Sequence, residues 1–144
     1  MDDDEEEREF SKSIVYGFFE QADATFMKMD TALWVCTSYA RPFLLRSAII
    51  KPDLIFHRQK KDLVSLSSLG HFLKGSSATL GLTKVNDSCE KIQHYGDHKD
   101  EHGNSSSKDD ASLLSLIRST LEVVKVDYGE AERVLKRFYH DSET

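Results

Sequence analysis

The sequence predicts an all-α protein, an antiparallel up-and-down four-helix bundle, and three observations carry that expectation. The apolar residues, mostly Leu, Ile, Val and Phe, recur at intervals of three and four with little of the alternation that marks strands. Four such stripes follow one another, and most of the segments between them are short. At 144 residues the chain supports one domain with a modest core.

The elements follow in order. Residues 2 to 9 hold seven acids and one arginine, a net of -6 that equals the formal charge of the whole chain, so the remainder is close to neutral. This block, taken as residues 1–9, is expected to be a flexible tail that favours solubility and disfavours nucleic acid. From Phe10 onward, Ile14, Phe18, Ala22, Phe26, Met29 and Leu33 form the stripe of a first helix, with Val15 and Phe19 widening it. Residues 34–60 break the pattern: they contain Pro42 and Pro52, the single tryptophan Trp34, and five Lys or Arg. No helical face collects the apolar residues there, and only a short helix over Phe43 to Ile50 fits between the prolines. The stretch reads as an insertion between two helices.

The second helix is expected to open at Asp62 as N-cap, to place Leu66, Leu69, Leu73, Ser76, Ser77 and Leu80 on one face, and to close at Gly81. The third opens at Thr83, uses Val85, Cys89 and Ile92, and stops at Gly96. Residues 97–108, rich in Asp, His, Gly and Ser, read as a solvated loop. The last helix starts near Asp109 or Asp110. Its two registers are Leu114, Leu121, Tyr128, Leu135 and Ile117, Val124, Ala131, Phe138.

Several function classes are disfavoured. The sequence has no run of eighteen apolar residues and no signal peptide of the usual design, which leads us to expect a soluble, intracellular protein with no membrane partner. Cys36 and Cys89 form neither a disulfide framework nor a CxxC pair, so both are expected as free thiols. Lys and Arg are scattered, without the aromatic and basic pattern that stacks bases, and no nucleic-acid partner is expected. His94, His98 and His102 are spaced by four, but Gly96 and Gly103 interrupt that helix, and His71 has no ligand type at i+3 or i+4; no metal is expected. A thin bundle offers no evident pocket for a nucleophile, base and orienting acid.

His71 is the residue that calls for an explanation. With successive side chains 100° apart, Leu66, Leu69, Leu73 and Leu80 lie within an arc of about 60°, and His71 points almost directly away from it. Ser67, Ser68, Lys74, Gly75 and Ala78 surround it on the outer face, so a flat partner surface could approach the ring. Gly75 costs about 1 kcal/mol relative to alanine in a helix interior, which makes sense if something must come close. Lys74, one turn away, can offset charge on the ring, and Ser76 extends the polar rim. The rival reading is a non-catalytic helical interaction module with an incidental exposed histidine.

The stretch from Leu69 to Leu82, LGHFLKGSSATLGL, resembles the signature of the histidine-containing phosphotransfer proteins, in particular the fungal intermediates of osmosensing phosphorelays. The resemblance continues through Cys89-Glu90-Lys91-Ile92-Gln93, is present from Phe10 to Met29, and is looser at Arg137-Phe138-Tyr139. It implies that His71 accepts a phosphoryl group from an aspartyl phosphate on the receiver domain of a hybrid histidine kinase and passes it to the receiver aspartate of a response regulator. It also implies that Lys74 steadies the phosphohistidine, that Gly75 leaves room for the receiver, and that Gln93 lies beside the imidazole. Ile14, Val15 and Phe18 would help dock the receiver. The protein would be a phosphoryl carrier without kinase activity of its own, a monomer, cytoplasmic and nuclear. Mg²⁺ would be supplied on the receiver, with no intrinsic cofactor, in keeping with the lack of a glycine-rich phosphate loop. The exposed Nε2 is the expected site of phosphorylation. Two departures from the family stand out: only the acidic stretch occupies the place of a short preceding helix, and residues 34–60 replace a brief turn. A late start and a retained intron would explain both, and uninterrupted coding through residues 34–60 in mature transcripts would exclude that origin.

Overall fold

A computed structural model of the chain describes residues 2–39 and 52–141. Among these residues four helices appear: α1 (Asp2–Tyr39), α2 (Pro52–Thr79), α3 (Thr83–Gly96) and α4 (Asp110–Asp141). They form the expected antiparallel bundle, in which α1 packs on α2 and α4, and α3 packs on α2 and α4. The interior is built from the predicted stripes, with Met29, Leu66, Leu73, Ile92 and Ile117 fully enclosed, and from Leu63, which was not among them.

The boundaries differ from the sequence reading at three places. First, α1 begins at Asp2, so the acidic stretch is its opening turns. Carboxylates near a helix N-terminus are favoured by the peptide dipoles, which accounts for an acidic run entering the helix. Second, helix reaches into both ends of the stretch read as an insertion, since α1 continues to Tyr39 and α2 starts at Pro52. Proline at a first helical position loses no hydrogen bond and brings a suitable φ. Asp62 is therefore inside α2, where it pairs with Arg58 at 3.6 Å, and it is no N-cap. The short helix expected over Phe43 to Ile50 lies outside the described residues, as does the side chain of Cys36. Third, Phe10 and Phe138 are exposed although the periodicity put them on the core face. They lie beyond the level of α2, whose last turn meets α1 near Ile14, so among the described residues no third helix covers them. Arg8 sits 5.4 Å over the Phe138 ring instead.

The α2–α3 turn is as predicted. Gly81 has φ +70°, its N–H donates to Ala78 O at 3.1 Å, and the Leu82 N–H donates to Ser77 O at 3.0 Å. These are the two bonds that satisfy the last carbonyls of a helix ending in a left-handed residue. α3 ends at Gly96 as expected, and the glycine has a second use. A Cβ there would stand 2.6 Å from Leu63 O and 2.8 Å from Ser67 N, so the missing side chain lets α2 and α3 approach closely. At the start of α4, Asp109 accepts the Ser112 N–H at 2.9 Å, satisfying one of the free donors of the first turn, and the Ser112 hydroxyl together with that N–H holds its carboxyl below the usual aspartate range.

Polar bonds also tie α4 to α1. The Tyr128 hydroxyl lies 3.2 Å from Asp23 Oδ1, Lys125 reaches Asp30 at 2.6 Å, and the Tyr139 hydroxyl donates to Ser11 Oγ at 3.0 Å. Around Tyr128 the rings of Phe18, Phe19 and Phe26 meet edge to face, with centroids 5.2 to 6.2 Å away.

Candidate functional site

His71 projects from the middle of α2 and is exposed, with no hydrogen-bond or ion-pair partner among the described residues. The arc of α2 that it occupies also carries Val64, Ser68, Gly75 and Ala78, all exposed. A Cβ added at Gly75 would meet nothing within 4 Å, so no packing demand explains that glycine. Gly70, next to His71, is the opposite case: its Cβ would stand 2.9 Å from Cys89 O and 3.0 Å from Gln93 N. Contact of the two backbones there brings Gln93 of α3 alongside the residue preceding the histidine. The Gln93 side-chain oxygen is buried and has no hydrogen-bond partner among the described residues.

Lys74 lies one turn from His71 and is half-buried, with its ammonium 3.1 Å from Glu90 Oε1. The bond from Lys74 and its charge hold the Glu90 carboxyl below the usual glutamate range. The backbone oxygen of Lys74 accepts from Asn86 Nδ2 at 2.9 Å and from Ser77 Oγ at 3.0 Å. Ser76 donates to Phe72 O at 3.2 Å, within its own helix. Lys74 and Gly75 thus lie within about one turn of His71 on α2, Gln93 faces Gly70 from α3 with its side-chain oxygen buried, and Ser76 lines the groove toward α1.

Three residues expected on the docking surface are elsewhere. Val15 and Phe18 are 6% and 4% exposed and pack in the core, leaving Ile14, at 43%, as the exposed one of the three. The stripe of α1 is wide because it packs on α2 and α4 at once, and this draws in both residues. Ser67 is buried, and its single hydroxyl proton is shared between Gln93 O and Asp97 Oδ1, each 3.0 Å from Oγ. The angular reading put it on the outer face, but α2 packs against three helices, so its buried arc extends past the leucines. Ser68 and Ala78 do lie at the surface.

The sequence reading missed Phe72, which is 49% exposed beside the histidine. Its signal was its angle, between the leucine stripe and His71. It also missed Asn86 and Glu90. Asn86, Glu90, Gln93 and Asp97 recur at four, three and four, the spacing of one helix face, and together they form a polar seam where α3 meets α2. Grooves between α1 and α2 flank the patch. One of about 350 Å³ is lined by Ile14, Gly17, Gln21, Ser76 and Thr79, and one of about 550 Å³ by residues including Lys28, Lys61, Val64 and Ser68.

The other histidines of the α3–α4 connection do not converge. His98 Nε2 lies 2.7 Å from Asp110, His102 faces Glu101 at 3.4 Å, and His94 Nδ1 is 3.3 Å from Glu101 O. Cys89 is a free, buried thiol, and desolvation pushes its pKa up to about 12, which makes it a poor nucleophile. Among the described residues no helix is long and apolar enough to cross a membrane.

Residues 14–126 match the Hpt domain family. Among curated proteins, the chain is similar to the multistep phosphorelay regulator 1 of Schizosaccharomyces pombe, at 41% identity over 95% of this chain and 38% of that protein. It is also similar to the phosphorelay intermediate protein YPD1 of Candida albicans, at 42% over 67% of this chain and 38% of the relative. The YPD1 protein of Saccharomyces cerevisiae matches at 33% over 92% and 62%. The chain therefore spans less than two thirds of the length of each of these relatives.

Proposed function

The chain belongs to the Hpt domain family, and from that premise we propose that it is a phosphorelay intermediate in which His71 carries the phosphoryl group. The observation that carries this reading is an exposed imidazole one helical turn from a glycine whose missing side chain would have met nothing. The glycine sacrifices about 1 kcal/mol of helix stability without any gain in packing, and space for an incoming protein surface accounts for it. The curated relatives bear names from phosphorelays, in keeping with this role.

In the proposed reaction, the lone pair of the unprotonated Nε2 of His71 attacks the phosphorus of an aspartyl phosphate. A P–N bond forms as the P–O bond to the carboxyl breaks, and the electron pair leaves with the aspartate carboxylate. The reverse sequence delivers the group to a second receiver aspartate. The geometry must be in line and the charge on the equatorial oxygens offset, which is chiefly a matter of placement and electrostatics. Lys74 supplies a mobile cation from this chain, Gln93 lines the near side of the ring, and Mg²⁺ held by the receiver supplies the rest. The receiver approaches over Ser68, Gly75 and Ala78, and Ile14, Val64 and Phe72 provide apolar contact around the ring.

The partners are the receiver domain of a hybrid histidine kinase and those of response regulators, met by a monomer in the cytoplasm and nucleus. The test is labelling from a phosphorylated receiver. The protein is expected to take up label that is lost in acid and kept in base, and His71→Gln is expected to take up none. Undiminished labelling of that variant would reject the assignment.

A further inference from the structure

The Lys74–Glu90 pair bears on what the phosphorylated protein would do. Glu90 is on α3 and Lys74 on α2, so the pair is not a local feature of one helix. Both side chains are about a third or more exposed, at 33% and 42%, and their nitrogen and oxygen are 3.1 Å apart. An exposed pair of this kind contributes at most about 1 kcal/mol, so a stronger anion nearby can take the ammonium from it. A phosphoryl group on His71 would be such an anion, carrying close to two charges against the single charge of a carboxylate. Meanwhile Asn86 and Ser77 fix the Lys74 backbone oxygen, so the side chain can swing while its Cα stays in place.

We propose that Glu90 is a positioning residue that competes with the phosphorylated His71 for the Lys74 ammonium, and so limits the lifetime of the phosphohistidine. This rests on the phosphorelay reading given above. Without phosphate, Glu90 holds Lys74 turned toward α3. With phosphate, Lys74 divides its time between the two anions, so the phosphoryl group receives less than the full stabilisation that a free lysine would give. The consequence is a carrier that releases its cargo readily in either direction and does not store it. No bond is made or broken by Glu90 itself.

The experiment compares the wild type, Glu90→Gln, Lys74→Ala and the double variant, each phosphorylated from a receiver domain and separated from it before the decay of phosphohistidine is followed. Glu90→Gln keeps the size of the side chain and removes its charge. It is expected to lengthen the half-life about two- to fivefold, the range over which an exposed ion pair can shift an equilibrium. Lys74→Ala is expected to shorten the half-life, and adding Glu90→Gln to it to change nothing further. A structural effect would not depend on Lys74 in this way, and a melting temperature within experimental error of the wild type excludes it separately. An unchanged or shortened half-life for Glu90→Gln overturns the proposal. Equal lengthening with and without Lys74 overturns it too, because Glu90 would then act on the phosphate directly. If the wild type takes up no label, the phosphorelay reading fails and this proposal with it. If the wild type is labelled and Glu90→Gln decays at the same rate, only the role of Glu90 is rejected.

Discussion

At the scale of single residues, the site works by contrast between positions that are filled and positions that are kept empty. His71 and Gly75 leave a clear surface, while Lys74 and Glu90 hold a charge pair just off it. Lys74→Ala is expected to fold normally, because its exposed partner can be solvated, and to lose or transfer phosphate at altered rates; unchanged half-life and transfer rate together would contradict its role. The pair also has a signature in pH. Glu90 is lowered by the bond to Lys74 and by its charge, so its share of stability is present above the unfolded glutamate pKa and is lost as pH falls through the lowered value in the folded protein. Both groups are solvated enough that this share is small. The direct observable is the Glu90 carboxyl resonance, which should titrate below the ordinary glutamate range and move back up in Lys74→Ala. A titration that the substitution leaves untouched would show that the two groups are apart in solution.

At the scale of elements, two glycines of α2 and α3 predict opposite outcomes for the same substitution. Gly75→Ala adds a methyl to open space and should stabilise the protein by up to about 1 kcal/mol through helix propensity. Gly96→Ala drives a Cβ against Leu63 O and Ser67 N, and forcing the helices apart should cost about 1–3 kcal/mol despite the better propensity. Chemical denaturation of both variants checks the pair, and equal shifts would contradict the packing. Gly75→Gln should likewise remain stable, yet bind a receiver domain more weakly; equal binding by titration would remove the steric argument. The sequence revealed the leucine stripe and the Gly81 turn because each is a local pattern with one physical cause. The seam of Asn86, Glu90, Gln93 and Asp97 was harder to read, because its spacing is helical but its residues are polar, and only the approach of α2 gives the side chains of Asn86, Glu90 and Asp97 their partners. Ser67 was misplaced for the same reason: the angular plot knows one face of a helix, and α2 packs against three neighbours.

At the scale of the whole molecule, the bundle is asymmetric, with the short α3 beside three long helices. Where α1 and α4 outrun α2, Phe10 and Phe138 lose the cover that periodicity implied, which no reading of either helix alone could show. The fold class and the histidine were legible because apolar spacing and a compact motif carry them. The helix limits beyond Leu33 and before Asp62 were not, because prolines and clustered apolar residues give no period to follow. The function proposed for the whole molecule is that phosphate passes through it and does not stop at its surface. It is tested most directly by reconstituting a labelled kinase receiver, this protein and a regulator receiver, and following where the label goes. Label should reach the regulator only when the protein is present, pass transiently through it, and fail to arrive with His71→Gln. Equal arrival with that variant would contradict the account.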